Sequence, residues 1–302
     1  MLVTEHIRTD PAYRARLRAV GLDRVDHILA RVDGRVVAWS RTTDTLFVPG
    51  PDGTPGFYVK RHFFPRWANR LRGALRGTFF GRHRGQVEYA DLNAMRASGI
   101  PAVRAVACGG RRVAHFLAAC FLITEEVPGA ENLTSYAQDV EAGLVDCGAE
   151  RRRQMAPALA GQLAHMHSVA VWHGNLFWRN ILVRDRPDGL PEFFFLDPQP
   201  PRWRRFGATE GWRRDLAQLA VSAAPFTSRT DRMRFLRGYA GSQRITPRGK
   251  AEARQIAALA QTWQRHESRR IRMNALFTRW RTKLDEELQS TEDARLASES
   301  PA

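Results

Sequence analysis

The chain has 302 residues, with 47 lysines and arginines against 31 aspartates and glutamates, a formal net charge of +16 and an isoelectric point near 11.1. At 43% hydrophobic it can bury a core of ordinary size. Its longest apolar stretch, Phe116 to Thr124, is too short to span a bilayer, and Met1 to His6 lacks the pattern of a signal peptide. Cys108, Cys120 and Cys147 are odd in number and share no metal-ligand spacing, which favours reduced thiols in a cytoplasmic protein.

Taken in order, residues 11 to 31 read as a helix, so that 1–31 forms a helical extension. Gly34 to Ser40 and Thr45 to Val48 read as paired strands. The turn between them has no G-x-G-x-x-G. Arg41 and the hydroxyls of Thr42 and Thr43 are its candidate phosphate donors, although a polar hairpin turn is the default reading of such residues. A Pro-Gly-rich turn leads to Phe57-Tyr58-Val59-Lys60, a strand ending on one of only three lysines, the others being Lys250 and Lys283. A lysine kept in so arginine-rich a chain suggests a role that arginine cannot fill. From Arg61 to Gly85 the chain carries Arg61, Arg66, Arg70, Arg72, Arg76, Arg82 and Arg84 with interleaved aromatics and leucines and no acid. A solvated arginine-rich face or a basic amphipathic surface would look alike here.

Val87 to Arg96 has helical periodicity and stops at Gly99-Ile100-Pro101, which places Glu88 on a helix following the lysine strand. Strand lysine then helix glutamate is the order of a pair that grips nucleotide phosphates in phosphoryl transfer. Cys120 to Val127 is an apolar strand running into Pro128-Gly129. Its end, at Glu125 and Val127, is the candidate backbone edge for adenine, and the boundary between lobes 1–127 and 128–302 is placed there.

His165 and His167 sit two apart on a helix with Leu159, Leu163 and Met166. They face different ways and make a poor metal pair, so His167 is expected near the loop that follows. That loop is His173-Gly174-Asn175-Leu176-Phe177-Trp178-Arg179-Asn180. After it, Ile181 to Val183, a turn at 184–189 and Phe193 to Leu196 read as a hairpin that returns Asp197 toward Asn180. A kinase catalytic loop has an aspartate to accept the hydroxyl proton, an asparagine five residues on for Mg²⁺, and a second metal-binding aspartate past the next hairpin. The spacing is kept, with Asn175 where the first acid would stand. Residues 250–288 read as one or two helices, and 289–302, small and polar, as disordered.

Tyr58-Val59-Lys60-Arg61, the Glu88 helix, Leu163 to His167 before His173-Gly174-Asn175, and Arg214-Asp215-Leu216-Ala217 together resemble the lipopolysaccharide core kinases, which phosphorylate heptose or Kdo, from about residue 35 to about 245. The resemblance implies an α+β, bilobal, protein-kinase-like fold, with a small antiparallel-sheet lobe carrying one key helix and a mainly helical second lobe. It implies ATP and Mg²⁺, with Lys60 on the phosphates, Glu88 orienting it, Asn180 and Asp197 on the metal, His173 bracing the loop and Asp215 buttressing it.

Two departures stand out: Asn175 replaces the family's aspartate, and Pro198-Gln199 follows Asp197 in place of Phe-Gly. The first leaves two expectations open, a slow sugar kinase or a nucleotide-binding pseudokinase with a regulatory or scaffolding role. The positive charge is expected to meet an anionic glycolipid substrate through Arg66, Arg82 and Arg84, with peripheral contact at the inner leaflet of the inner membrane. Nucleic acid fits the charge as well, but no finger, helix-turn-helix or RNA-recognition pattern accompanies it.

Overall fold

The computed structural model describes residues 2–40, 42–79, 81–199, 208–265 and 267. A six-stranded antiparallel sheet in the order β1-β5-β6-β4-β3-β2 makes up most of the N-terminal half. Its strands are β1 (Val3–Thr9), β2 (Arg35–Ser40), β3 (Thr43–Val48), β4 (Phe57–Phe63), β5 (Ala105–Val113) and β6 (Phe116–Glu125).

The helical extension expected over 1–31 is corrected. Val3–Thr9 pairs with β5 from Val3↔Val113 to Thr9↔Ala107, and four of its seven residues, Val3, Thr4, Ile7 and Thr9, are β-branched, which suits a strand. The single helix expected over 11–31 is two short ones, α1 (Arg14–Ala19) and α2 (Val25–Ala30), broken at Gly21 with φ +69. Both pack on one face of the sheet, where Leu17, Leu22, Ile28, Leu46, Phe57, Val59, Phe121 and Ile123 form a closed core.

Strand alternation then decides where Lys60 goes. Phe57 and Val59 point into that core, so Lys60 points to the other face. On that face lies α4 (Arg84–Ala97), which buries Glu88, Leu92 and Met95 along one stripe. The helix starts three residues earlier than the periodicity indicates because His83 caps it, its ring accepting from Gln86 N–H while Gln86 returns a bond to His83 N–H. Arg61, counted in the basic run, is buried. Its guanidinium pairs with Asp44 at 2.8 Å and donates to the carbonyls of Ile28 and Arg31, tying β4 to α2. The remainder of that run forms α3 (Trp67–Gly73) and a π-helix, Ala74–Thr78.

Beyond β6 the chain enters a second core. A three-stranded sheet, β7 (Glu131–Asn132), β8 (Ile181–Asp185) and β9 (Pro191–Phe195), packs with α5 (Leu133–Glu141), α6 (Ala149–Ser168), α7 (Ala208–Ala223), α8 (Arg229–Ala240) and a helix over 247–265. Leu159, Leu163, Met166, Ile181, Phe193, Phe195 and Leu216 are buried there together with Leu92 and Met95 of α4. The key helix thus packs on both the sheet and the helical half. The expected α+β architecture, an antiparallel sheet with one key helix followed by a mainly helical portion, is present. Residues 289–302 lie outside the described residues.

Candidate active site

The loop 173–180 is held from below by one face of α7. Asp215, fully buried, accepts from His173 N–H at 2.7 Å through one carboxylate oxygen and from Gly174 N–H at 2.7 Å through the other. One turn on, Gln218 accepts from Leu176 N–H at 2.8 Å, and Ser222 accepts from Trp178 N–H at 3.0 Å. Steps of three and four residues place these side chains in line, so a single helix face holds four amides of the loop. Asp215 is backed by His167 at 3.4 Å, whose other ring nitrogen meets the Tyr239 hydroxyl at 2.8 Å. The sequence alone does not mark Gln218 and Ser222 as site residues. Their sequence signal is slight: after Asp215 they are the two polar residues in the apolar second half of α7.

Gly174 has φ +73, and a Cβ there would collide with the carbonyl oxygen of Gln199. Only glycine lets the loop lie this close to the segment after Asp197. The His173 ring is fully enclosed. Its Nε2 donates to Leu196 O at 3.0 Å and its Nδ1 accepts from Asn175 N–H at 3.3 Å. That pair of bonds requires the neutral tautomer, and burial lowers the imidazole's pKa accordingly. His173 therefore clips the loop to the Asp197 segment and carries no proton to spare.

Asp197 stands where three elements meet. Its backbone is left-handed, with φ +55. Lys60 Nζ from β4 reaches one carboxylate oxygen at 2.5 Å, and the Asn175 amide donates to the other at 2.9 Å. Arg84, at the start of α4, lies 3.6 Å away. Lys60 also bonds both oxygens of Glu88, at 3.0 and 3.1 Å. Burial opposes charge on Asp197, but Lys60 and Arg84 outweigh it and hold the carboxyl below its usual range. Glu88 is more deeply enclosed. Burial, with the Asp197 charge adding to it, raises its pKa to about 7 against the pull of Lys60. Lys60 is raised in turn: burial disfavours its charge, and the two carboxylates more than compensate.

The Asn180 amide nitrogen donates to Asn175 O at 2.8 Å, and its own carbonyl accepts from Leu196 N–H at 3.1 Å. With its nitrogen committed to the loop, the amide has its oxygen left to offer a cation. Among the described residues no group of three or more His, Cys, Asp and Glu side chains converges on a metal site. The donors on hand for a cation are the Asn180 amide oxygen and the Asp197 carboxylate. Two hard oxygen donors fit Mg²⁺, which keeps several waters and takes further oxygens from phosphates.

The remaining expected residues are placed as follows. Thr42 sits in the β2–β3 turn and its carbonyl accepts from Phe63 N–H, while Arg41 lies outside the described residues. The Glu125 carboxylate is occupied on the α1 side by Tyr13 Oη at 2.6 Å and Arg16 at 2.7 Å, and its N–H donates to Arg104 O. The Val127 carbonyl accepts from Ala130 N–H at 3.1 Å. Arg82 and Arg84 line a cavity of about 430 Å³ together with Asn69, Arg70, Pro198 and Gln199, next to Glu88. Arg66 does not line it, and Arg70 occupies the place expected for it.

A lysine strand, its helix glutamate, a braced loop and a hairpin-borne aspartate define a protein-kinase-like fold. The match to WaaP in complex with acyl carrier protein agrees, at a TM-score of 0.55 and 22% identity over 88% of this chain and 98% of that one. Residues 33–239 match the lipopolysaccharide kinase (Kdo/WaaP) family, and the chain belongs to that family. It is 28% identical over 171 residues to 3-deoxy-D-manno-octulosonic acid kinase of Pasteurella multocida, spanning 56% of this chain and 65% of that protein. It is 26% identical over 204 residues to the lipopolysaccharide core heptose(I) kinase WaaP of Pseudomonas aeruginosa, spanning 61% and 69%.

Proposed function

We propose that this protein is an ATP-dependent kinase that transfers the γ-phosphoryl group to a sugar hydroxyl of a lipopolysaccharide-core-type glycolipid at the cytoplasmic face of the inner membrane. The observation that carries this reading is the Lys60 ammonium shared between Glu88 and Asp197, because three separate elements must be correctly packed to assemble it. In this reading Lys60 binds the α- and β-phosphates and Glu88 fixes its rotamer. Asn180 and Asp197 would hold Mg²⁺, which on binding would neutralise charge on the transferring phosphoryl group. Asn175, beside Asp197, orients the acceptor hydroxyl. An amide takes up no proton, so the rate lacks the roughly 10²–10⁴ that a general base supplies. Positioning and charge neutralisation still account for most of the acceleration in a loose phosphoryl-transfer transition state.

The second reading is a pseudokinase that binds nucleotide with a regulatory or scaffolding role. It is favoured by the hydrogen bond from Asn175 to Asp197, which spends the residue's polar nitrogen on the metal-binding side chain. Mg²⁺-dependent ATP turnover with purified inner-core glycolipid separates the two. In the kinase reading the wild type turns over and Asp197→Ala falls at least about 10²-fold, as expected when a preorganised charge is lost. Nucleotide binding without wild-type turnover, and activity only in Asn175→Asp, would establish the pseudokinase.

A further inference from the structure

The basic run between β4 and α4 has two faces. Asn69, Arg70, Gly73 and Thr78 of α3 and the π-helix form one wall of the 430 Å³ cavity whose other walls include Arg82, Arg84, Pro198 and Gln199. On the opposite side Trp67, Leu71 and Leu75, spaced by four, are 52, 55 and 82% exposed. Single exposed leucines are ordinary, whereas large apolar residues in line on one helix are not. The segment is anchored rather than loose: Trp67 and Phe79 both set their rings edge-on against Phe116 at the start of β6, at 5.6 and 5.1 Å. Arg66 is exposed at the head of α3, and the Arg70 guanidinium stacks on the Trp67 ring at 5.0 Å. No acidic residue occurs from Arg61 to Val87.

We propose that α3 and its π-helix seat this protein on an anionic lipid bilayer. Trp67, Leu71 and Leu75 enter the boundary between headgroups and acyl chains, and Arg66, exposed at the head of the helix, meets lipid phosphates. Three side chains are far too little surface for a stable protein partner, which needs about 800 Å² a side. They suffice for reversible membrane attachment when basic residues flank them and the whole molecule is strongly positive. Because the same helix walls the arginine-lined cavity beside Glu88, a seated protein holds that cavity within about a helix diameter of the bilayer, in reach of a headgroup that extends from it. This last step rests on the glycolipid reading above; the bilayer contact does not.

Flotation of the full chain with vesicles tests it, using phosphatidylcholine alone and phosphatidylcholine mixed with phosphatidylglycerol, at low and high salt. The wild type is expected to partition at least about tenfold more strongly onto the anionic vesicles, with the preference weakening at high salt. Leu75→Glu, at the most exposed position of the stripe, is expected to melt like the wild type and to lose about tenfold in partition. Trp67→Ser/Leu71→Ser/Leu75→Ser is expected to remain in the lipid-free fraction. Equal flotation of Leu75→Glu and wild type, or no preference for anionic vesicles, overturns the proposal. So does self-association in lipid-free light scattering that Leu75→Glu abolishes, since that assigns the stripe to a second copy. None of these readouts involves nucleotide turnover, so failure of the kinase reading would leave the vesicle result standing.

Discussion

Restoring an acid at position 175 is expected to destabilise the ligand-free protein before it improves any chemistry. In the wild type the Asn175 amide nitrogen is 2.9 Å from an Asp197 carboxylate oxygen, and residue 175 is only 8% exposed. Asn175→Asp replaces that donor by a second anion. Two unit charges at that distance repel by about 6 kcal/mol at an effective dielectric constant near 20, less whatever Lys60 and Arg84 screen. Protonating one of the carboxyls instead costs about 4 kcal/mol at pH 7, from a reference pKa near 3.9. Proton uptake is the cheaper escape, so the penalty is capped at about 4 kcal/mol at neutral pH and the pair titrates as one unit.

The sign follows from linkage. The folded pKa of the pair lies above the unfolded value, so the variant is nearly as stable as wild type below about pH 4 and loses ground as pH rises toward the folded pKa. Denaturant unfolding of both proteins at several pH values, with and without Mg²⁺ and nucleotide, measures this. A bound cation between the carboxylates removes the repulsion, so the deficit should shrink on adding Mg²⁺ and nucleotide. An Asn175→Asp protein as stable as wild type at pH 8 without ligands would refute the reasoning.

Asp215→Ala removes the acceptor for two enclosed loop amides, His173 N–H and Gly174 N–H. At roughly 1–3 kcal/mol per orphaned group it should cost about 3–5 kcal/mol in denaturant unfolding; a loss below 1 kcal/mol would mean that the α7 face does not hold the loop. Acid should unfold the protein through its buried imidazoles. His62 and His83 are lowered to about 3, first by burial and then by neighbouring positive charge. Each is neutral when folded and takes up a proton on unfolding, so stability is whole above pH 6.5 and falls toward pH 3 by about 1.4 kcal/mol per pH unit per histidine. His83→Asn, which can still cap α4, should flatten that slope in pH-dependent melting, and an unchanged slope would dismiss His83 as a contributor.

What could be read from the sequence was what depends on local order and spacing. The strand that ends at Lys60, the hairpin from Ile181 to Phe195 and the five-residue step from Asn175 to Asn180 are set by alternation and turn residues within a few positions. The convergence of Lys60, Glu88 and Asp197 follows once that order fixes which face each side chain takes. What escaped depends on distant partners. The β1 strand falls within a segment read as a helical extension because its partner, β5, lies about a hundred residues on. Arg61 counts as surface charge until Asp44 and the α2 carbonyls enclose it. Gln218 and Ser222 are ordinary helix polars until the loop amides are laid against them.

The substitution at 175 also has a logic in the ligand-free state that the loss of a base obscures. Asp197 holds a left-handed backbone, a conformation costing a non-glycine residue of order 1 kcal/mol, and its carboxylate is largely enclosed. One of its oxygens is met by Lys60, which Glu88 already shares. An aspartate at 175 would leave the other oxygen facing a like charge whenever no cation is bound, so order at Asp197 would depend on the ligand. The amide supplies a donor to that oxygen and a second, longer one to the Asp197 carbonyl at 3.3 Å. The Asp197 side chain is thereby held in place without a cation. Under the proposed kinase function residue 175 exchanges proton transfer for preorganisation, and the rate of Asn175→Asp relative to wild type at saturating Mg²⁺ and nucleotide measures what that exchange costs the chemistry.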